Sequence, residues 1–327
     1  LSASFQMSFA AVTALVAVFE RYRDREARRV RERAPRRVLA YVVGVAVVTL
    51  VAGLATAPFA VYHFNRLAVY GLAANLLAVP TTAMWIMPWG IAALALMPLG
   101  LEALALAPMG WGIDVVIAVA RTVAGWPGSV MLLPAMPSAA LVLAAAGGLW
   151  LCLWRRRWRW LGLLAFAAGL ASAGLTRTPD VLVDGKAKLF AVRTADGGLA
   201  ISSRRTARYT GDIWLRRNGQ AGARPWSGDG PGLRCDAIAC IYRSAGRVVA
   251  LVRDGRALAE DCRVADVVVS AVPMRRYCAS ARVAIDRVDL ACAGTHALYL
   301  EESGVRIETV AARRGDRPWS RRRGARC

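Results

Sequence analysis

The stretch from Tyr62 to Asp114 constrains the fold more than any other part of this sequence. It is strongly apolar, yet Pro80, Pro88, Pro98 and Pro108 interrupt it. In a lipid bilayer every backbone N–H and C=O group needs a hydrogen-bond partner, so irregular backbone survives only where protein buries it or where it lines a water-filled cavity. A spanning segment that is broken this often indicates a pathway through the membrane more than a plain anchor.

The charged residues are distributed unevenly along the chain. The 327 residues are 57% hydrophobic and carry a formal net charge of +21, which an ordinary soluble domain would not combine. Between Val38 and Trp154 the only charged residues are Arg66, Glu102, Asp114 and Arg121. After Leu175, glycine and aspartate turns separate alternating apolar runs. We therefore expect a polytopic α-helical membrane domain over residues 1–175 and a small, β-rich α/β soluble domain over residues 176–327.

Clusters of arginine predict which loops face the cytoplasm. Glu20–Arg37 holds nine arginines and four acidic residues, and short loops this basic stay on the cytoplasmic side. A phosphate-binding patch for nucleic acid is the alternative for this cluster. The span from Val38 to Val61 then runs outward, which places His63, Asn65 and Arg66 at the outer face.

The same argument places the soluble domain outside the cytoplasm, in a periplasm if the cell has an outer membrane. Ser138–Trp154 is an apolar span that ends in a second arginine cluster, and the next apolar run, Trp158–Leu175, returns outward. This topology requires Leu67–Ala107 to cross the membrane an even number of times, as two short spans or as a re-entrant hairpin.

Four sequence blocks of the apolar part occur in a characteristic order and spacing. They are FQMSFAA, YGLAANLLAVPTTAMWIMPWG, MPLGLEAL and MGWGIDVVIAVARTVAGWPG. Over Ser4–Pro137 the chain thereby resembles the ComEC family, the inner-membrane channel proteins of natural transformation. The family's N-terminal module and earlier spans are not in this sequence, so we expect it to be the C-terminal portion of a longer protein.

The resemblance implies a multi-pass inner-membrane protein that passes one strand of DNA into the cytoplasm. Its implied partners are single-stranded DNA, the lipid bilayer and other competence proteins. Association with further copies of the same chain is an alternative that the sequence leaves undecided. Because the sequence contains no GxxxxGK[ST] nucleotide-binding loop, we expect a separate protein to act as the motor. A secondary transporter or permease is the alternative function, since broken helices also suit such proteins.

Eight residues are candidates for lining a channel: Gln6, His63, Asn65, Arg66, Asn75, Pro80, Asp114 and Arg121. Asn75 lies one turn before Pro80, which leaves the carbonyl about four residues back without its usual partner. This site lines a channel, or it is a proline kink that lets helices pack. Gln6 likewise faces the bundle interior or lies near the interface.

Leu99–Trp126 is interpreted as an amphipathic helix at the membrane interface, because it combines charged residues with two tryptophans. Asp114 and Arg121 are seven residues apart and therefore share one face of this helix. They either face a wet groove or are solvated near the headgroups.

Six of the seven cysteines belong to the soluble part. In an exported domain such a set predicts disulfides, whereas a cytosolic domain would favour thiols or a zinc site. Cys235 and Cys240 have the spacing of a hairpin staple, and Cys262 and Cys278 flank the strand-like segment ADVVVS. Cys292 and Cys327 complete the set.

The soluble part alternates strands and short helices. Hairpins are predicted around the turns DGG and SAG, a short helix at RALAEDC, a buried strand at ADVVVS and a final strand pair in THALYLEESGVRIETV. This order suggests an α/β sandwich layered around a sheet.

In the ComEC family the corresponding place is often held by a metallo-β-lactamase-like domain, and the resemblance implies a degenerate form of it here. After ADVVVS the sequence has AVPMRRYC in place of paired histidines, and no histidine lies between His63 and His296. A dinuclear site needs several such ligands, so we expect no metal, no cofactor and no catalytic residue. A membrane-anchored hydrolase is correspondingly disfavoured, and His296 is expected to be structural or exposed.

Arginines of the soluble part are candidates for contacting the DNA backbone, namely Arg204, Arg205, Arg216 and Arg217. Phosphate neutralisation by arginine is independent of sequence and sensitive to salt. Trp214, Trp226 or Trp319 would then stack on single-stranded bases. The alternative is an arginine-rich face that is simply solvated.

Overall fold

The computed structural model describes residues 2–26, 34–172, 176–226, 229–230, 232–274, 278 and 281–315. The chain divides into two compact units, Leu1–Thr176 and Arg177–Cys327. The first is helical and the second is rich in sheet, which confirms the predicted order of a helical half followed by a sheet-rich region. The middle of the first basic cluster, residues 27–33, lies outside the described residues, as do Trp319 and Cys327.

The first unit is built from helices joined by short connections. The helices are α1 (Ala3–Glu26), α2 (Ala34–Phe64), α3 (Gly71–Thr81), α4 (Met87–Leu96), α5 (Glu102–Ala124), α6 (Ser138–Leu153) and α7 (Trp160–Ala171). A π-helical turn, Thr82–Ile86, joins α3 to α4, and 3₁₀ turns occupy Met97–Leu99 and Arg157–Arg159. Two short strands, β1 (Arg66–Ala68) and β2 (Val130–Leu132), pair antiparallel.

Within the described residues, four helical segments are long and apolar enough to cross a membrane: Ala3–Arg21, Leu39–Phe64, Gly71–Leu99 and Glu102–Ala124. Two sequence-based interpretations change. Gly71–Leu99 is one continuous helical segment of 29 residues, so neither two short spans nor a re-entrant hairpin lies within Leu67–Ala107. The next helix, which sequence assigns to the interface, is itself long and apolar enough to be the return crossing.

Contacts between distant residues show which helix ends lie together in the first unit. Gln6 in the first turns of α1 hydrogen-bonds His63 in the last turn of α2. The pairing of β1 with β2 joins the segment before α3 to the segment after α5. Gly71–Leu99 and α5 therefore leave this end of the unit and return to it. The even number of crossings predicted within Leu67–Ala107 is wrong for that range, and the pair of candidate spans extends to Ala124.

The opposite end of the first unit carries the arginines. Arg21 donates hydrogen bonds to the carbonyl oxygens of Leu151 at 3.5 Å and Trp154 at 3.3 Å. Glu20 forms an ion pair with Arg155, with 3.1 Å between Oε2 and Nη2. The two basic clusters are thus drawn towards one end, as expected for loops on a single side of a membrane.

Small residues let α6 and α7 pack with their backbones in contact. A Cβ atom on Gly147 would lie 2.5 Å from the carbonyl oxygen of Gly162, and one on Gly169 would lie 2.7 Å from that of Ala140. Close approach through glycine and alanine is how membrane helices pack when lipid supplies no hydrophobic driving force. The two helices therefore form a tight hairpin.

The second unit contains two sheets. Its strands are β3 (Val181–Val183), β4 (Phe190–Arg193), β5 (Leu199–Ile201), β6 (Asp229–Gly230), β7 (Leu233–Cys235), β8 (Ala239–Ser244), β9 (Arg247–Val252), β10 (Val267–Ser270), β11 (Val283–Ile285), β12 (His296–Glu301) and β13 (Gly304–Thr309). One sheet has the order β11-β10-β9-β8-β7-β6, and the other has the order β13-β12-β3-β4-β5. The three predicted strand pairs, β4–β5, β8–β9 and β12–β13, are confirmed.

Successive side chains of the strands point to opposite faces of each sheet, and the second unit is thereby a four-layer α/β/β/α sandwich. In β9, Val249 and Leu251 face the core between the sheets, whereas Ala250 and Val252 pack towards helix α9 (Leu258–Val264). On the far side of the other sheet, Leu182 and its neighbours pack against helix α8 (Arg208–Arg217). The fold thus has two sheets face to face, where the sequence suggested layers around one. The short helices α10 (Arg287–Ala293) and α11 (Val310–Arg314) complete the unit.

Candidate functional site

A polar cluster lies at the end of the first unit where α1 and α2 meet the β1–β2 ribbon. The His63 ring nitrogen Nε2 is 2.8 Å from Oε1 of Gln6, and because an amide oxygen only accepts, His63 is the donor. The ring also meets Tyr62 edge to face at 5.0 Å. Arg66 follows on β1 with an exposed side chain. The structure therefore brings three of the candidate channel residues, Gln6, His63 and Arg66, to one end of the bundle.

Asn65 anchors this end rather than facing outward. Its backbone adopts φ 56°, a left-handed conformation that asparagine tolerates better than most residues. Its amide nitrogen Nδ2 donates to the carbonyl oxygen of Leu133 at 3.3 Å, and its own carbonyl oxygen accepts from Leu133 N–H at 3.2 Å. The side chain is buried. Asn65 thus terminates α2 and ties it to the segment after β2.

The helix continues past Pro80 into a wider helical turn, and two threonine side chains bond carbonyl groups of the preceding turn. Pro80 has no N–H to donate, which breaks the regular hydrogen-bond ladder. Just after it, the hydroxyls of Thr81 and Thr82 donate to the carbonyl oxygens of Leu77 and Ala78, each at 2.8 Å. The chain then forms the π-helical turn Thr82–Ile86 before α4 resumes. Such turns occur frequently at functional sites.

The π-helical turn packs directly on α5. The Trp85 indole Nε1 donates to the carbonyl oxygen of Pro108 at 2.8 Å. Gly112 is buried beneath the turn, and a Cβ atom there would lie 2.5 Å from Cδ1 of Trp85 and 2.9 Å from Cγ1 of Ile86. A proline-broken helix is thus held against a second proline-containing helix through a glycine. The sequence offered only the prolines as a signal for this contact.

Polar side chains remain on both of these helices. Asn75, Asp114 and Arg121 are exposed, and none of their side chains has a hydrogen-bond or ion-pair partner within the described part of the chain. Glu102, at the first turn of α5, has a buried carboxylate oxygen, Oε2, that likewise lacks a hydrogen bond there. Polar groups at membrane depth need partners, and the described part of the chain supplies none for these side chains.

Four arginines of the second unit lie at the two ends of α8. Arg204 and Arg205 precede the helix, and the former donates to the carbonyl oxygen of Ala223 at 2.9 Å. Arg216 and Arg217 form its last turn. Arg205 and Arg217 are exposed and Arg216 is half-buried. The ten-residue helix therefore presents arginine over about 15 Å.

Two of the three tryptophans that the sequence suggested for stacking beside these arginines are packed in the cores of the second unit. Trp214 is buried, with 6% of its surface exposed, in the core between α8 and the sheet. Trp226 also packs against the core between the sheets. On the outward face of α8 the exposed aromatic residue is Tyr209, at 76%, seven residues before Arg216 and hence on the same side of the helix. The sequence contained a signal for this exposure. Trp214 and Leu215 are the apolar pair that marks the buried face of α8, and helical periodicity places Tyr209 away from that face.

Disulfides join the candidate cysteines of the second unit. Cys235 and Cys240 are bonded across the β7–β8 pair, and Cys262 of α9 is bonded to Cys278. Cys292 is disulfide-bonded as well. The described cysteine with a free thiol is Cys152 of α6 in the first unit. This arrangement is typical of an oxidising compartment.

His296 has a structural position at the start of β12. It is buried, and its Nδ1 donates to the carbonyl oxygen of Gly294 at 2.8 Å. Burial holds the pKa of the imidazole below its usual value, against the smaller opposing effects of that hydrogen bond and of Asp289. In the described residues, no group of three or more histidine, cysteine, aspartate or glutamate side chains is placed to hold a metal ion.

The first unit, with its candidate spans, interrupted helix and arginine-rich end, fits a membrane protein. A family model described as Competence protein matches residues 1–158, a little under half of the chain. This match supports a competence-type protein with a role in DNA uptake. Comparison with curated proteins gave no match, and comparison with solved structures gave none either. The metallo-β-lactamase resemblance of the second unit stays a prediction.

Proposed function

We propose that the helical unit forms part of the channel through which one strand of DNA crosses the inner membrane. The observation that carries this proposal is the interrupted helix Gly71–Leu99, whose π-helical turn packs on α5 inside the region that matches the competence family. A proline and a π-helical turn free backbone carbonyl groups of a membrane helix, and such groups need neighbouring protein or a water-filled cavity. A pathway for a polar polymer meets that requirement.

The polar side chains of the helical unit suit a sequence-independent substrate. His63 and Arg66 meet the incoming phosphates at the outer end, where Gln6 orients the imidazole. Asn75 offers a neutral amide farther along, and the carboxylate of Asp114 repels phosphate. Conduction requires groups that favour entry of the DNA strand and groups that keep it from binding too tightly to leave. This mixture of side chains supplies both.

The second unit serves in this proposal as a DNA-contacting surface outside the cytoplasm. The arginines around α8 neutralise phosphates, and Tyr209 stacks on an unpaired base. Its disulfides are those of an exported domain. The chain supplies no catalytic step and no cofactor, and other competence proteins, including a separate motor, drive the strand inward.

Labelled duplex DNA tests the channel role. Deletion of the gene, or Asn75→Leu, is expected to leave DNA bound at the surface while abolishing or strongly reducing its arrival in the cytoplasm as a nuclease-protected strand. Leu77→Ala is the matched control, because Leu77 is an exposed apolar residue of the same helix. Normal arrival of DNA in the deletion strain would exclude the channel role.

Binding of a fluorescent oligothymidylate to the purified chain tests the α8 surface. The slope of log K against log salt is negative, and each phosphate contact that is lost reduces its magnitude by about 0.7 for a single strand. Arg205→Gln with Arg217→Gln is expected to reduce that magnitude by about 1.4. Arg256→Gln is the control, because Arg256 is an exposed arginine already paired with Asp254 at 2.8 Å. Equal slopes for all variants would contradict contact at α8.

A further inference from the structure

The connection between α6 and α7 forms a basic depression at the end of the first unit opposite the β1–β2 ribbon. Its volume is about 750 Å³, and Arg155, Arg156, Arg157 and Trp158 line it. The position of this arginine cluster after an apolar helix accounts for membrane orientation. Orientation alone requires positive charge and makes no use of a depression in the surface.

A cluster of aromatic rings packs beside the depression, and one of them, Trp158, lines it. The rings of Trp150, Trp154 and Trp158 are mutually in contact, with centroids 4.5–5.3 Å apart. The indole Nε1 of Trp150 also donates to the carbonyl oxygen of Trp158 at 3.3 Å. Arg21 binds the last carbonyl groups of α6 from α1. The connection is therefore fixed from both sides.

The arginines differ in whether their charge is already matched. Arg155 is paired with Glu20, and the guanidinium of Arg159 lies over the Trp160 ring at 4.9 Å. Arg156 and Arg157 are exposed, and neither has an ion pair or a side-chain hydrogen bond within the described parts of the chain. Two guanidinium groups are thus free to bind an anion in the depression.

Apolar surface adjoins these two free charges. Leu153, Leu161 and Leu164 are 71%, 56% and 67% exposed on the neighbouring turns of α6 and α7. Helix α6 has 16 residues, about 24 Å in length, which is shorter than the ~30 Å hydrocarbon core of a bilayer. A short helix thins the bilayer around it and draws headgroups towards its ends.

We propose that this depression binds the headgroup of an anionic phospholipid. Arg156 and Arg157 bind the phosphate oxygens, for which the planar guanidinium is well suited. The acyl chains lie on the three exposed leucines, a surface that a nucleic acid would leave uncovered. Phosphatidylcholine is disfavoured because its choline would face two arginines.

Native mass spectrometry of the full chain, released from detergent with phosphatidylglycerol or phosphatidylcholine, tests this site. We expect one phosphatidylglycerol to be retained and phosphatidylcholine to be lost. An arginine near an anionic lipid surface contributes about 1 kcal/mol, or about fivefold in affinity. Arg156→Gln with Arg157→Gln should therefore weaken retention roughly 25-fold. Arg216→Gln with Arg217→Gln, which removes the same charge from α8, should leave retention unchanged.

Three results would overturn the proposal. The first is equal retention of the two lipids, and the second is retention that the Arg156 and Arg157 substitutions leave unchanged. The third is displacement of phosphatidylglycerol by an equal concentration of glycerol phosphate or of oligothymidylate, which would assign the depression to free phosphate or to nucleic acid. Failure of DNA uptake in the same variants is a separate readout, because lipid retention does not depend on the channel role.

Discussion

His296 couples the stability of the second unit to pH. Burial lowers the pKa of its imidazole in the folded state, so the unfolded chain binds more protons once the pH falls below about 6.5. The contribution to stability is complete above that pH and is lost as the pH falls towards the folded-state pKa. We expect the free energy of unfolding to fall by up to about 1.4 kcal/mol per pH unit in this window.

Pulse proteolysis of the full chain in urea, at several pH values between 5 and 7, measures this slope. The second unit contains no other histidine, so His296→Gln should flatten the dependence even if it lowers stability at every pH. A slope that persists in His296→Gln would show that another group is responsible. His63→Gln is the control, because that histidine belongs to the first unit.

Asp286 is a single side chain on which several hydrogen bonds converge. Its Oδ1 accepts from Val288 N–H at 2.7 Å and Asp289 N–H at 3.1 Å, and its Oδ2 accepts from Met274 N–H at 3.3 Å. Asp286→Ala removes the N-cap of α10 and leaves the buried Met274 N–H without this acceptor, so we expect the free energy of unfolding to fall by about 2–3 kcal/mol. The urea midpoint in pulse proteolysis measures it.

The control for Asp286 is another aspartate of the second unit. Asp212→Ala removes an exposed carboxylate whose ion pair with Arg208 spans 4.0 Å. Exposed ion pairs contribute at most about 1 kcal/mol to stability. The urea midpoint of this variant should therefore be close to that of the unsubstituted protein. Comparable losses in the two variants would contradict the assigned role of Asp286.

Individual residues also show where sequence reasoning has its limits. Trp214 and Tyr209 are both aromatic residues in an arginine-rich segment, and composition favoured the tryptophan for stacking. The helix buries Trp214 together with Leu215 and leaves Tyr209 in solvent. Which face of a short helix is buried depends on the sheet that it covers, and that sheet is assembled from distant strands.

At the scale of elements, the contact between the π-helical turn and α5 can be tested with two glycines of one helix. Gly112 faces Trp85 and Ile86 with no room for a Cβ atom, whereas a Cβ atom on Gly110 would meet nothing within 4 Å. Gly112→Ala should displace the turn at a cost of about 1–3 kcal/mol. Gly110→Ala should be neutral or slightly stabilising, since alanine favours helix.

Thermal unfolding in detergent gives the stabilities of the two glycine variants, and the DNA-uptake assay gives their function. We expect Gly112→Ala to lower both the unfolding temperature and the arrival of DNA in the cytoplasm. If the Gly110 variant were affected equally, the effect would belong to α5 in general and not to its contact with Trp85.

Elements that depend on local pattern were predictable from the sequence. The turns DGG and SAG, the short helix now described as α9 and the buried strand β10 all occur where they were expected. In the SAG turn, Ala245 and Gly246 both adopt positive φ, 49° and 71°, as the favoured hairpin turns require. The π-helical turn was not predictable, because it depends on α5 as well as on Pro80.

At the scale of the whole molecule, the predicted topology places the C-terminal unit outside the cytoplasm. A fusion of alkaline phosphatase to the C-terminus of the full chain should be active, because this enzyme needs an oxidising compartment. A fusion of green fluorescent protein at the same place should not fluoresce, because this reporter folds in the cytoplasm. Fusions truncated after Trp154 should show the opposite pattern, because that residue lies at the arginine-rich end. A fluorescent full-length fusion would contradict the topology.

The sequence by itself determined the class of this protein. Runs of apolar residues, arginine at the ends of spans and alternation in strands are local properties, and partition between water, lipid and protein interior acts on them directly. They predict a helical membrane part and a sheet-rich part before any contact is known. Only the tertiary structure decided that Gly71–Leu99 is one interrupted helix held against α5 at Gly112. It also decided that two sheets face one another and that Tyr209 rather than Trp214 is exposed, because contacts between residues far apart in the chain fix each of these features.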